Sequence, residues 1–153
     1  MHHADNFEEN KDVIKMDTVR GVYILEKNGF ASGEYCVSDA LKKALKLLAS
    51  KIKVLLETDP HTIVLIEGHA DQDPVLGSPK RDDCNLHCYV KDNIDLALCR
   101  ARQAREELIS AVDMNSNLSE RISVVSYGLN RLVANETDKS LNRRVEIKIE
   151  TSF

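Results

Sequence analysis

The run Thr62-Ile63-Val64-Leu65-Ile66 does most to limit what this chain can become. It has no charged break, and such a run suits a strand covered on both faces in the middle of a sheet, because a strand with one wet face alternates instead. Segments of helical period flank it. Upstream, Ser38 precedes Leu41, Leu45, Leu48, Ile52 and Leu55, spaced by threes and fours, with Lys42, Lys43, Lys46, Lys51 and Lys53 mostly on other faces. That pattern predicts a serine-capped amphipathic helix ending before Asp59-Pro60. Downstream, a second helix is expected from Asn93 to about Val112, with Ala97, Ala101, Ala104, Leu108 and Val112 as its buried stripe. Small residues on that stripe permit close approach to a sheet.

Three further strands complete the pattern. Residues 19–25 are rich in β-branched and aromatic side chains and lead to the turn dipeptide Asn28-Gly29; residues 122–127 end at Gly128; Val145-Glu146-Ile147-Lys148-Ile149 alternates. The order β-α-β-α-β-β predicts a two-layer α/β (α+β) sandwich with right-handed crossovers and a mixed four-stranded sheet. At 153 residues the chain is sized for one domain. Residues 1–18 are polar and without period, so they are expected to be a flexible lead-in, a linker or, given Met1-His2-His3, a tag remnant. The domain is expected over 19–151, with a long loop insertion at 73–92 marked by Pro74, Gly77 and Pro79.

Composition excludes some functions. A net charge of −4 with 21 basic residues, and no interleaving of basic and aromatic residues, argues against nucleic-acid binding. No apolar run reaches the ~18 residues of a bilayer span, so a membrane is expected only through a segment outside this chain. No serine or cysteine sits in a nucleophile-base-orienter arrangement, so catalysis is not expected. The cysteines Cys36, Cys84, Cys88 and Cys99 suit disulfides in an oxidising compartment or free thiols elsewhere. Within the insertion, Cys84-Asn85-Leu86-His87-Cys88 has the spacing of a small disulfide loop between Cys84 and Cys88. A zinc set from Cys84, His87 and Cys88 is the weaker alternative, for want of a fourth ligand. No metal and no cofactor are expected, and the pairing of Cys36 and Cys99 stays open.

Four segments, in order, resemble the OmpA/MotB C-terminal family of peptidoglycan-binding domains, and within it the peptidoglycan-associated lipoproteins. They are Ile66-Glu67-Gly68-His69-Ala70-Asp71, then Asn93-Ile94-Asp95-Leu96-Ala97-Leu98-Cys99-Arg100-Ala101, then Ser126-Tyr127-Gly128, then Asn142-Arg143-Arg144-Val145-Glu146-Ile147. Together they cover most of residues 20–150. Ala70 stands where the family usually has threonine, Ala97 where serine is common and Leu132 where proline is frequent, and residues 74–92 run longer than the family norm.

The resemblance implies a periplasmic, wall- or outer-membrane-associated domain that binds the stem peptide by its diaminopimelate. The free end of that residue carries an ammonium and a carboxylate on one carbon, and calls for one anion and one fork of donors. Carried over by motif, Asp71 accepts the ammonium and Arg100 grips the carboxylate in a charge-assisted pair. A strand-to-helix crossover can bring both to one rim.

Asn93 either caps its helix or bonds the ligand, Leu96 is a site wall or a core leucine, and Gly68 serves close backbone approach or positive φ. His69 orients a neighbour or touches ligand, and at most one of Arg143 and Arg144 faces the site. The alternative function is a protein-interaction or structural domain of the same fold that uses the Cys84–Cys88 loop for a partner or metal. Parent architecture and oligomeric state are not legible.

Overall fold

The computed structural model describes residues 14–19, 21–25, 30, 35–69, 88, 90–128 and 144–151. Its elements run β1 (Ile14–Asp17), β2 (Val22–Leu25), α1 (Asp39–Thr58), β3 (Ile63–His69), α2 (Asn93–Ala111), α3 (Ser116–Ser119), β4 (Ile122–Gly128) and β5 (Val145–Glu150). The strands form one mixed sheet in the order β1-β2-β5-β3-β4. β3 and β4, joined through α2, pair in parallel, and every other neighbouring pair is antiparallel. The expected α+β layer is therefore present, with five strands rather than four.

The extra strand lies inside the stretch expected to be a lead-in. Ile14 and Met16 pair with Leu25 and Tyr23 of β2 across a tight turn. In that turn the Val19 N–H donates to the Asp17 carboxylate at 3.0 Å and the Gly21 N–H to the Asp17 carbonyl at 2.8 Å. Gly21 takes φ +68°, a region only glycine enters without strain. Val19 belongs to this turn and is 94% exposed, so the next strand begins at Val22 and not at Val19. Four residues are too few for alternation to stand out from a polar background.

The two long helices, α1 and α2, form where periodicity places them; the single turn α3 had no periodic signal. The Ser38 hydroxyl accepts from the Leu41 N–H at 3.1 Å and caps α1, which buries Leu41, Ala44, Leu45, Leu48, Ala49, Ile52 and Leu56. Leu56 replaces the expected Leu55 because it lies four residues, about one turn, beyond Ile52. In α2 the cap is Asp92, whose carboxylate accepts from the Asp95 N–H at 2.8 Å, and not Asn93. Ala97, Ala101, Ala104 and Leu108 are buried as expected. No helix among the described residues is long and apolar enough to cross a membrane.

Both helices pack on one face of the sheet, where Val64 and Ile66 of β3 and Val145 and Ile147 of β5 meet Leu41, Leu45, Ile52, Ala101 and Leu108. At the amino end of β3, basic side chains tie the connections down. The Arg121 guanidinium donates to the carbonyls of Asp59 at 2.9 Å and Thr62 at 3.0 Å, and also to that of Leu56. Arg105 donates to the carbonyls of Ile122 and Ser119 at 2.9 Å each. These carbonyls would otherwise need water, so the arginines end the elements cleanly.

Candidate functional site

The carboxyl end of a central strand that feeds a crossover helix is where an open α/β sheet offers a crevice. Here α2 approaches β3 closely, and Gly68 is the reason. A Cβ built at Gly68 would lie 1.8 Å from the Ala97 carbonyl oxygen and 3.3 Å from the Ala101 Cβ. The close-approach role expected for Gly68 is the one found; the only positive-φ glycine among the described residues is Gly21. On the neighbouring strand the Ser126 hydroxyl donates to the Ile94 carbonyl at 2.7 Å, tying the first turn of α2 to β4.

This packing carries Arg100 inward. Its guanidinium lies 5.5 Å from the centroid of the Phe30 ring, and its Nη1 donates to the His69 carbonyl at 3.5 Å. The residue is 0% exposed. The rim expected for it is shared with Asp71, which lies outside the described residues; Arg100 itself is closed off from solvent. Phe30 went unnoticed in the sequence because a single aromatic in a loop carries no periodic signal; stacked on the guanidinium, it supplies a cation–π contact of roughly 1–2 kcal/mol.

Asn93 occupies the first turn of α2 with 9% of its surface exposed, and its side-chain oxygen has no hydrogen-bond partner among the described residues. With capping done by Asp92, that oxygen is left for another donor. Leu96 is a core residue of a small second cluster with Tyr35, Val90 and Cys99, against which Cys36 and Cys88 pack.

The expected Cys84–Cys88 bridge is overturned there, because Cys88 is bonded to Cys99 across a Cα–Cα distance of 6.0 Å. The buried side of α2 presents Cys99 to the segment that leads into the helix, at a separation suited to a disulfide. Local Cys spacing cannot reveal that. The bond also removes Cys88 as a thiolate donor, and with it the zinc set of Cys84, His87 and Cys88. Cys36 is disulfide-bonded as well. Asp71, Arg143, Cys84 and His87, and most of the 73–92 insertion, lie outside the described residues.

The sheet face turned away from the helices holds a feature the sequence reading missed. Glu67 and Glu146 are direct cross-strand partners, and they are 2% and 0% exposed. Two like charges facing each other would be destabilising if uncompensated. Lys148 Nζ lies 2.8 Å from Glu67 Oε1, and Arg144 Nε lies 2.6 Å from Glu146 Oε2, so each carboxylate has its own cation.

His69 completes the group, with Nε2 at 3.7 Å from Glu67 Oε2 and 3.9 Å from Glu146 Oε2, too far for hydrogen bonds. Burial is the main force that pushes its pKa down to about 4, and Arg144 adds to it, while Glu146 and Glu67 pull the other way. His69 is therefore neutral near pH 7. The residue is also 1% exposed, so the structure sets His69 among its neighbours and away from an open surface. Arg144 likewise turns to Glu146 on this face. Glu67, His69 and Glu146 each offer a possible metal-ligand atom, all within 4.8 Å of one another, but a divalent ion there would compete with the two cations already touching the carboxylates.

Comparison with known proteins places this geometry. The sequence matches the OmpA family over residues 29–146. No curated protein matches the sequence. Among solved structures, the periplasmic domain of Helicobacter pylori MotB superposes with a TM-score of 0.67 at 19% identity, covering 92% of this chain and 89% of that one. The cell wall anchor of the T6SS from Pseudomonas aeruginosa gives 0.67 at 19% identity, over 97% and 94%. The peptidoglycan-associated lipoprotein from Burkholderia pseudomallei gives 0.57 at 23% identity, over 82% and 90%. At these identities the likeness is one of fold, and the family rests on the sequence match, which spans most of the chain. The chain belongs to the OmpA family.

Proposed function

We propose that this domain is a binding module, not a catalyst, that holds peptidoglycan non-covalently by the diaminopimelate of the stem peptide and so ties an envelope protein to the cell wall of a Gram-negative periplasm. One observation carries the reading: a guanidinium buried at the carboxyl end of the central strand, in the motif position of the carboxylate-gripping arginine. Desolvation makes its charge-assisted bonds to a carboxylate stronger than they would be in water. Asp71, two residues beyond the end of β3 in the sequence, is the motif acid for the ammonium. The unmet Asn93 oxygen is a further polar group at the same end of α2. The wall-anchoring relatives of the same fold support the reading.

Because Arg100 is closed off from solvent, the ligand reaches it only when the site opens, and the observed affinity is the intrinsic one reduced by the open fraction. The same burial favours a second reading, in which Arg100 is a structural arginine like Arg121 and the domain is a scaffold for a protein partner.

Calorimetry with a diaminopimelate-containing stem peptide separates the two. The expected result is saturable binding that Arg100→Ala weakens by about 100-fold, the loss typical of truncating one partner of a buried charge pair, with Asp71→Asn similarly impaired and both variants folded by circular dichroism. If the wild type shows no saturable heat and does not co-sediment with sacculi, the wall-binding assignment falls and the scaffold reading stands.

A further inference from the structure

Three elements converge on His69. Its N–H donates to the Arg144 carbonyl at 2.9 Å, its carbonyl accepts from Arg100 Nη1 at 3.5 Å, and its ring stacks on Tyr127 with centroids 5.5 Å apart and planes 26° from parallel. Neither ring nitrogen has a hydrogen-bond partner among the described residues. A buried imidazole left in this condition destabilises the fold, where an apolar side chain of similar volume would not. The register offers a second sign. Between Gly68 and His69 the β3–β4 pairing shifts, with Gly68 opposite Ser126 and His69 opposite Gly128. Irregularities of this kind re-aim side chains beside binding sites. The residue passed over is Tyr127, the one that stacks on His69.

We propose that His69 is a positioning residue for Arg100: its ring, set between Tyr127 and the two buried glutamates, fixes the peptide carbonyl that receives the Arg100 guanidinium. The proposal rests on the reading of Arg100 as the carboxylate-gripping group. The ring faces Glu67 from its own strand, Glu146 from β5, Arg144 just before β5 and Tyr127 from β4, while Lys148 on β5 holds Glu67. One peptide unit thus has the arginine on its carbonyl and the charged cluster around its side chain. A shift of the ring moves the carbonyl and with it the guanidinium, across the thickness of the sheet.

The test begins on the ligand-free chain, with the Arg100 Nε–Hε signal identified by its disappearance in Arg100→Lys and followed by NMR from pH 7 to 4 alongside the His69 ring. The Arg100 signal is expected to move with the His69 titration, and in His69→Gln to start from a different position and lose that pH dependence. Binding of a diaminopimelate-containing stem peptide is expected to weaken by about tenfold in His69→Gln and in Tyr127→Leu, the size of coupling transmitted through one packed neighbour.

An Arg100 signal that ignores the His69 titration, together with wild-type affinity in either folded variant, overturns the proposal. Should His69→Gln fail to fold, the wild-type titration and Tyr127→Leu decide. If Arg100 follows His69 and yet the wild type does not bind the stem peptide, the positioning stands and the wall-binding reading is what fails.

Discussion

The two faces of the sheet solve the same burial problem by opposite chemistry. Adjacent residues of β5 make the contrast: Ile147 and Glu146 are both fully buried, but Ile147 packs on the helices while Glu146 meets Arg144 and faces Glu67 across the strands. Dispersion and apolar burial hold the helix face, through many contacts each of which is individually small. On the opposite face two carboxylates are each paired with a cation beside a neutral imidazole, and removing one member of either ion pair takes a contact away from a buried or half-buried charge. The helix face therefore specifies the fold, and the charged face makes the end of β3 rigid where Arg100 is received. Specificity of position is what a buried polar network can add that an apolar core cannot.

The largest break should come from Glu146→Ala. It removes the carboxylate that lies 2.6 Å from the buried Arg144, and breaking a buried pair from one side destabilises by about 3–5 kcal/mol. Urea unfolding would measure it, and Glu146→Gln, which keeps the shape and one acceptor, should lose less. If Glu146→Ala costs no more than an exposed ion pair, about 1 kcal/mol or below, the face behaves as if wetted and the contrast between the faces collapses.

Gly68→Ala tests the helix face. Its Cβ would meet the Ala97 carbonyl, a backbone atom that cannot swing aside, so α2 must move off the sheet. About 3 kcal/mol is expected, the upper part of the usual overpacking range. The same substitution should loosen Arg100, which rides on α2, and so weaken stem-peptide binding more than the stability loss alone would. A stability change near zero would mean that α2 slides freely, and that the close approach does not set the position of Arg100.

How much of this was legible depends on whether the signal is local. Helices α1 and α2 and strands β3 to β5 were, because periods of 3.6 and 2 are written in contiguous residues, as in Leu41-Leu45-Leu48-Ile52 and Val145-Ile147-Ile149. The strand at Ile14–Asp17 was not, since it is defined by its antiparallel partner. Cys88–Cys99 was not, because a pairing belongs to tertiary geometry and the nearer Cys84 drew the inference. Alternation in β5 tells that Glu146 and Lys148 share a face, and whether that face is covered is decided elsewhere in the chain. For the same reason the motif pointed to Arg100 while its depth, and Phe30 against it, came only with the fold. Glu67 and His69 were read as parts of a motif, and what joins them to Glu146 and Arg144 is a cross-strand register that no single segment contains.

The gentlest probe of the charged face is acid. His69 is held at a pKa of about 4 in the folded chain, against 6.5 for an unperturbed histidine, chiefly by burial. Between these values the unfolded chain binds a proton that the folded chain refuses, so stability rises with pH through this window. The contribution is complete above about pH 6.5, is lost as the pH falls toward 4, and changes no further below that. Lowering the pH from 7 to 5.5 should therefore cost about 1 kcal/mol through this group. The clean measurement is the difference between wild type and His69→Gln at the two pH values, since the other titrating groups cancel in it. A slope that survives in His69→Gln would show that the imidazole is not the source of the acid sensitivity, and the contrast between the faces would then lose its pH signature.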